Sequence, residues 1–412
     1  MINSNDHSNP LFQIAPAGKP TDRLTHQFTT LPPLALYVHL PWCERKCPYC
    51  DFNSHPKTAT DLPEDDYISA LIADLDSQLP QIWGRTLATI FIGGGTPSLF
   101  SAAAIDRLLS GIRQRLPFND LIEVTMEANP GALDQSRLPD FRRAGVNRLS
   151  LGVQSFNDQA LTRLGRVHDA NQAQAAIDAA GAAGFSKLNI DLMYGLPDQT
   201  LQQAAADLRT ALTFDPAHLS LYQLTLEPNT AFARQPPQLP DEDAIAGMQT
   251  QLQATLAKAG FEHYEVSAFC RPEQFCRHNS NYWQFGDYLG IGAGAHGKIS
   301  SAEKIIRTQN IKDPSRYQRG VLTGKPQQET RVLEPAETVF EFMLNAMRLQ
   351  QGVPLGLFSA HTGLPVNALL SRSEAARDQG LLEINQQRIK PTALGHRFLD
   401  NLTELVLPPD GE

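Results

Sequence analysis

Cys43, Cys47 and Cys50 stand in the run YVHLPWCERKCPYCDF, spaced Cys-x3-Cys-x2-Cys directly after the apolar stretch Leu34 to Leu40. Three thiolates this close can hold three corners of a [4Fe–4S] cube and leave the fourth iron without a protein ligand. A cluster that serves only electron transfer usually takes four cysteines, so the missing ligand suggests an open coordination site. The same logic separates catalytic from structural zinc. Zinc is the competing reading, but short zinc motifs pair a second Cys or His couple at a matching distance. The other cysteines, Cys270 and Cys276, lie far downstream. A disulfide is weaker still, because such spacings serve clusters better than loop closure. The triplet favours an open-site cluster over zinc.

Further chemistry falls at regular intervals. Gly93-Gly94-Gly95-Thr96-Pro97 follows an apolar run. Glycines there let backbone groups approach a ligand without a Cβ in the way, although a tight strand-to-helix turn would explain them equally. No Gly-Lys-Ser/Thr follows, so this is no P-loop. Glu127 ends a third apolar run, Gln154 a fourth, Asp191 sits in a fifth, and Arg166 lies in the connection after the fourth. Alone, each reads as a cap or a surface residue. Together, at successive strand ends, they predict a shared pocket, because α/β barrels gather their chemistry at the C-terminal ends of their strands. Downstream, His278-Asn279-Ser280-Asn281-Tyr282-Trp283 sets an imidazole beside two aromatic rings. A hydrogen-bonded packing residue is the ordinary reading of such a histidine, although a neutral imidazole can also ligate a metal. Cys276 is a second candidate ligand. His39 reads as a structural hydrogen-bonder, and Cys270 as a small buried residue.

The elements that must position these groups alternate. Strand-like runs fall at 34–40, 87–92, 121–128, 146–153, 186–193 and 218–226. Between them Tyr67, Ile68, Leu71, Ile72, Leu75 and Leu79 recur at helical spacing, as do Ile105, Leu108, Leu109 and Ile112 after the candidate N-cap Ser101. Residues 170–183 and 200–213 are rich in helix formers. Such alternation predicts a parallel sheet with right-handed crossovers. Six units fit an open, partial (β/α) barrel, which sequence pattern alone does not separate from a doubly wound sheet.

Four regions are expected. Residues 1–33 form a disordered or loosely attached leader, and 34–240 the barrel. Residues 241–330 form an extension with a helix at 241–259, a strand-like FEHYEVSAF and a Gly-rich stretch at 286–297, ending in a polar segment around 313–335. Residues 331–412 contain helices 336–350 and 365–379, then two short strands and a helix, an α+β winged-helix-like unit. That unit is not notably basic, so a packing or partner role suits it better than DNA binding.

Composition excludes several classes. With 42% hydrophobic and 19% charged residues the chain is an ordinary globular protein. A net charge of −9 argues against a broad nucleic-acid surface. No apolar run approaches a bilayer span and no secretory signal is visible. Few cysteines, three of them clustered, imply a reducing compartment, most simply the cytoplasm.

The cysteine spacing, with Tyr49 just before the last cysteine, resembles the radical S-adenosylmethionine (SAM) superfamily, in which SAM chelates the open iron. The runs YVHLPWC, CPYCDF, IFIGGGTPS, EANP, LSLGVQSF and DLMYGLPDQT are more narrowly similar to the oxygen-independent coproporphyrinogen III oxidase family, over about residues 34 to 400. That resemblance implies the open six-unit barrel. It also implies that Tyr37 and Tyr49 flank the cluster, and that Gly94, Gly95, Thr96, Glu127, Gln154, Arg166 and Asp191 contact SAM. The oxidases resemble Cys-x3-Cys-x2-Cys-x-Cys, where this chain has Phe52 in place of the last cysteine. The HemW-type haem chaperones lack that cysteine and carry His-Asn-x-x-Tyr-Trp, intact here from His278. The resemblance therefore implies a haem-binding delivery protein with haem, haem-accepting apoproteins and an electron donor as partners. The oxidative decarboxylase is the alternative.

Overall fold

The computed structural model describes residues 24–408. Six strands run parallel in chain order: β1 (Leu34–Leu40), β2 (Leu87–Gly94), β3 (Glu123–Ala128), β4 (Arg148–Gln154), β5 (Lys187–Tyr194) and β6 (His218–Gln223). Along each strand the residues alternate, as side chains on a pleated backbone must. Leu36, Val38, Ile90, Ile92, Val124, Met126, Leu149 and Leu151 join one apolar core with Leu71 and Leu75 of α1 (Glu64–Gln78) and Ile105 and Leu108 of α2 (Ala102–Arg113). The intervening residues, including Thr125, Glu127, Arg148, Gln154, Asp191 and His218, line a cavity. Groups from five neighbouring strands surround one space because the sheet curls, giving the open six-unit barrel.

The outer helices start where their caps dictate. Ser101 Oγ accepts from Ala104 N at 3.1 Å and begins α2. After α3 (Leu138–Ala144), capping boxes at Asp169/Gln172 and Thr200/Gln203 begin α4 (Ala170–Ala182) and α5 (Leu201–Leu212).

Residues 241–330 extend the same sheet at both edges. After α6 (Glu242–Lys258), the run FEHYEVSAF is a hairpin, β7 (Glu262–Glu265) and β8 (Ala268–Cys270), with β8 antiparallel to β6. A helix, α7 (Arg277–Trp283), carries the His278 motif. The Gly-rich stretch then holds a seventh parallel strand, β9 (Asp287–Ile291), paired with β1, followed by β10 (His296–Ser300) and β11 (Ile305–Asn310). The segment read as a polar connection contains α8 (Pro314–Leu322) and an edge strand, β12 (Gln327–Val332). Glycine hides β9 from a propensity reading. At Gly290 a Cβ would collide with the His296 backbone, so only glycine lets β10 fold back so closely.

The C-terminal region has its own core of Phe342, Met343, Phe358, Leu369 and Ile389, which also takes Phe285 and Ile305. Behind α9 (Pro335–Ala346), a three-stranded sheet pairs Arg388–Pro391 with Val353–Pro354 and with Leu382–Ile384, the winged-helix-like form expected. The single helix expected at 365–379 is two, broken at Ser373, whose Oγ donates to Leu369 O at 2.8 Å. Of the leader 1–33, residues 1–23 lie outside the described residues. The rest is attached: His26 is buried with Nδ1 2.8 Å from Thr362 O, and Gln27 N donates to Gly363 O at 2.8 Å.

Candidate functional site

The cysteine loop leaves β1 and is held at both ends, because Trp42–Cys43 pairs with His55–Pro56 as a two-residue ribbon. Cys43, Cys47 and Cys50 are free thiols on the rim of a cavity of about 370 Å³. Each sulfur meets a polar group. Thr96 Oγ1 donates to Cys43 Sγ at 3.4 Å, Arg166 Nη1 donates to Cys47 Sγ at 3.6 Å, and Ser54 Oγ lies 3.9 Å from Cys50 Sγ. Burial pushes the Cys43 and Cys50 thiols up, so a cationic ligand is what would hold them as thiolates. Among the described residues no three His, Cys, Asp or Glu groups converge as they would on a single metal ion. Three thiols spread along one rim, with hydrogen-bond donors at the sulfurs, suit an iron–sulfur cube.

Beside them the β2 glycines are forced. Gly94 has φ +112°, and a Cβ there would lie 2.5 Å from Cε1 of His39. Gly94 N donates to Glu127 Oε2 at 3.0 Å, and Thr96 N to Trp42 O at 2.7 Å. Burial, and then the neighbouring Asp191 charge, push the Glu127 carboxyl up to about 7. Burial also raises Asp191, although Asn189 Nδ2 and Ser150 Oγ donate to it at 2.7 and 3.2 Å. Gln154 ends β4 at φ +70°, a left-handed conformation rare outside glycine and typical of sites where the chain is made to turn a side chain inward. Arg166 Nη2 donates to Gly152 O at 2.6 Å while its Nε is buried without a partner.

Thus the three cysteines, Tyr49, Gly94, Gly95, Thr96, Glu127, Gln154, Arg166 and Asp191 all line one cavity. Tyr37 does not. It lines a neighbouring cleft and stacks on Phe91 with ring centroids 6.2 Å apart. Its hydroxyl meets His39 Nδ1 at 3.0 Å, and His39 Nε2 meets Asn53 O at 2.8 Å. Tyr37 therefore reaches the cysteine loop through the structural histidine that the sequence predicts.

His278 sits at the opposite end of the barrel. Glu123 Oε1, at the start of β3, accepts from Arg277 N at 2.8 Å and His278 N at 3.2 Å and so anchors α7. Thr89 Oγ1 lies 3.0 Å from His278 Nδ1. Burial pushes this imidazole down to about 3, so it is neutral, and among the described residues its Nε2 has no hydrogen-bond partner. His278, Tyr282 and Trp283 line the second cleft, about 1070 Å³, together with Lys46, Arg307 and Lys312. Phe52 is 61% exposed and borders both spaces. Cys276 is not gathered with His278. Its sulfur is buried 3.8 Å from Glu123 Oε1 and faces the first cavity, and burial pushes its thiol up to about 11.

Sequence reasoning misses Thr125, Arg148, Ser150, Asn189, His218 and Ser220 in the cavity wall. The available signal is the two-residue period: Arg148 and Ser150 share the face of Gln154, and Asn189 that of Asp191.

Comparison with known proteins bears on this architecture. The Radical SAM superfamily model matches residues 37–211, and that of the HemN C-terminal domain matches residues 333–398. The heme chaperone HemW of Escherichia coli K12 is 47% identical over 378 residues, 92% of this chain and 99% of that protein. That of Haemophilus influenzae is 46% identical over 92% of this chain and 98% of its own length. Coproporphyrinogen III oxidase (HemN) from Escherichia coli, described as a radical SAM enzyme, superimposes with a TM-score of 0.77 at 25% identity, covering 91% of this chain and 90% of that one. The chain belongs to the HemW family, within the radical SAM superfamily.

Proposed function

We propose that this protein is a haem chaperone, which binds haem and passes it to acceptor apoproteins. The observation that carries the reading is His278: a neutral imidazole, fixed through Nδ1, with Nε2 free beside a cleft faced by Tyr282 and Trp283. That is the form an axial ligand needs, and the two rings can pack on a flat macrocycle. Lys46 and Lys312 on the same cleft suit its propionates, while Arg307 there is already paired with Glu341. The printed names of the relatives agree.

Cys43, Cys47 and Cys50 would hold a [4Fe–4S] cluster, and Gly94, Gly95, Thr96, Glu127, Gln154, Arg166 and Asp191 would bind SAM beside it. With an electron donor, such a pair supplies one-electron chemistry. Here Glu127 and Asp191 offer carboxylates to a ligand cation, and Arg166 draws the strand-four connection onto Cys47. Residues 34–240 form the barrel unit, 241–330 its extension and 331–412 a C-terminal unit, in a protein suited to the cytoplasm by its reduced thiols.

Phe52, exposed where the oxidases carry a cysteine, favours the chaperone over coproporphyrinogen III oxidation. His278→Ala should lose or markedly change the Soret band of added haem. Coproporphyrinogen III should remain unconverted with cluster, SAM and reductant present, and its robust decarboxylation would replace this reading with the enzymatic one.

A further inference from the structure

We propose that the lower half of the barrel cavity, at Arg148 and Thr125, binds the carboxylate of a small organic acid other than the ligand at the mouth. Arg148 opens β4 and is the register partner of Thr125 on β3, so their side chains are neighbours on the same face. Both line the first cavity. Arg148 is only 2% exposed and Thr125 1%. Arg148 Nη1 makes one long contact, to Gln274 O at 3.3 Å, and its Nη2 has no partner. Thr125 Oγ1, also buried, has none either.

A guanidinium keeps its charge at any relevant pH, so burying one without a counter-charge is costly. Among the described residues Arg148 makes no ion pair. Glu123, two residues before Thr125 on the same face, spends Oε1 on Arg277 N and His278 N, and Asp191 is engaged by Asn189 and Ser150. His218 offers no acceptor either, with Nδ1 2.6 Å from Asn189 Oδ1 and Nε2 2.7 Å from the Tyr264 hydroxyl.

What remains is one charged and one neutral donor, side by side and unpaired. A carboxylate, with two oxygens in a plane, satisfies both. Phe91, the register partner of Thr125 on β2 and part of the same cavity wall, gives a carbon skeleton an apolar surface, which favours an organic acid over a bare inorganic anion. Arg148 precedes Gln154 by six residues of strand, about 20 Å between their backbones. The acid is therefore a second occupant, and its site uses neither haem nor His278.

The test uses full-length, cluster-reconstituted, haem-free protein and follows thermal unfolding against propionate or butyrate, with chloride at matched ionic strength as the reference. Wild type should gain a saturable rise in melting temperature from the carboxylates beyond that from chloride, and saturating SAM should leave the rise in place. Arg148→Met should lose it, Arg148→Lys should keep part, and Thr125→Val, a near-isosteric change, should need several-fold more acid for half of the shift. Equal shifts with chloride, no shift in wild type, persistence in Arg148→Met, or competition by SAM would each overturn the proposal. If Arg148→Met fails to fold, Thr125→Val and Arg148→Lys decide: unaltered acid dependence in both rejects the site.

Discussion

The two ends of the barrel are built on different principles. At the mouth, groups that are close in sequence or sit at strand ends converge: three cysteines within one loop, a glycine strap, and Glu127, Asp191 and Arg166. Charges of both signs face each other there, and Gln154 holds a left-handed backbone at φ +70°. At the floor, α7 is brought back from 154 positions downstream to dock on a single carboxylate, Glu123. The histidines there are neutral and Arg148 is the uncompensated charge. The mouth offers a charged, prearranged cradle. The floor offers neutral nitrogen and unpaired donors, which suit different ligands.

Severing the mouth should leave the floor working. Cys47→Ser removes one of three thiols and the contact with Arg166, so iron and sulfide should fall from about four each per chain to near zero. The haem spectrum that depends on His278 should survive. Loss of both together would make the two ends one site. Glu127→Gln probes the charge at the mouth alone. The wild-type carboxyl titrates near 7 when folded against 4.5 ordinarily, so the ligand-free protein loses stability as pH rises through that window. The glutamine variant escapes this loss. Chemical denaturation should show it more stable than wild type by on the order of 2–3 kcal/mol at pH 8, with the gap closing towards pH 4. A gap independent of pH would mean that Glu127 is not the titrating group. The smallest effect belongs to the floor. Thr89→Val deletes the partner of His278 Nδ1 and should weaken haem binding by a few-fold to about tenfold while keeping the spectral type, as read by haem titration.

The mouth was legible in the sequence because its residues announce themselves locally. A cysteine triplet, a Gly-Gly-Gly-Thr-Pro turn and polar residues at the ends of apolar runs need no knowledge of distant contacts, and all but Tyr37 come together. The six parallel strands were equally clear, since each carries an apolar face wherever the chain runs. What escaped depends on long-range packing. β9 looks like a glycine-rich loop because the residue that lets β10 approach, Gly290, has no strand preference of its own. β12 is an edge strand with exposed residues between its ends, so no apolar period marks it. Cys276 and His278 are two residues apart in the chain yet face different cavities, because the N-terminus of α7 intervenes. Arg148 stands within an apolar run, and only the two-residue period it shares with Ser150 and Gln154 marks the face it belongs to.

The wall between the cavity and the cleft is thin. Asp51, Phe52, Ser54, Phe91, Gly94, Glu127 and Asn279 border both spaces. A ligand that moves any of these groups changes the energy of the other chamber, and equilibrium coupling is symmetric. Whatever factor an occupant of the barrel imposes on affinity in the cleft, an occupant of the cleft imposes in return. Titrating SAM with and without haem, and haem with and without SAM, should yield the same ratio of dissociation constants. That ratio is the driving force the fold can devote to releasing one molecule in response to another.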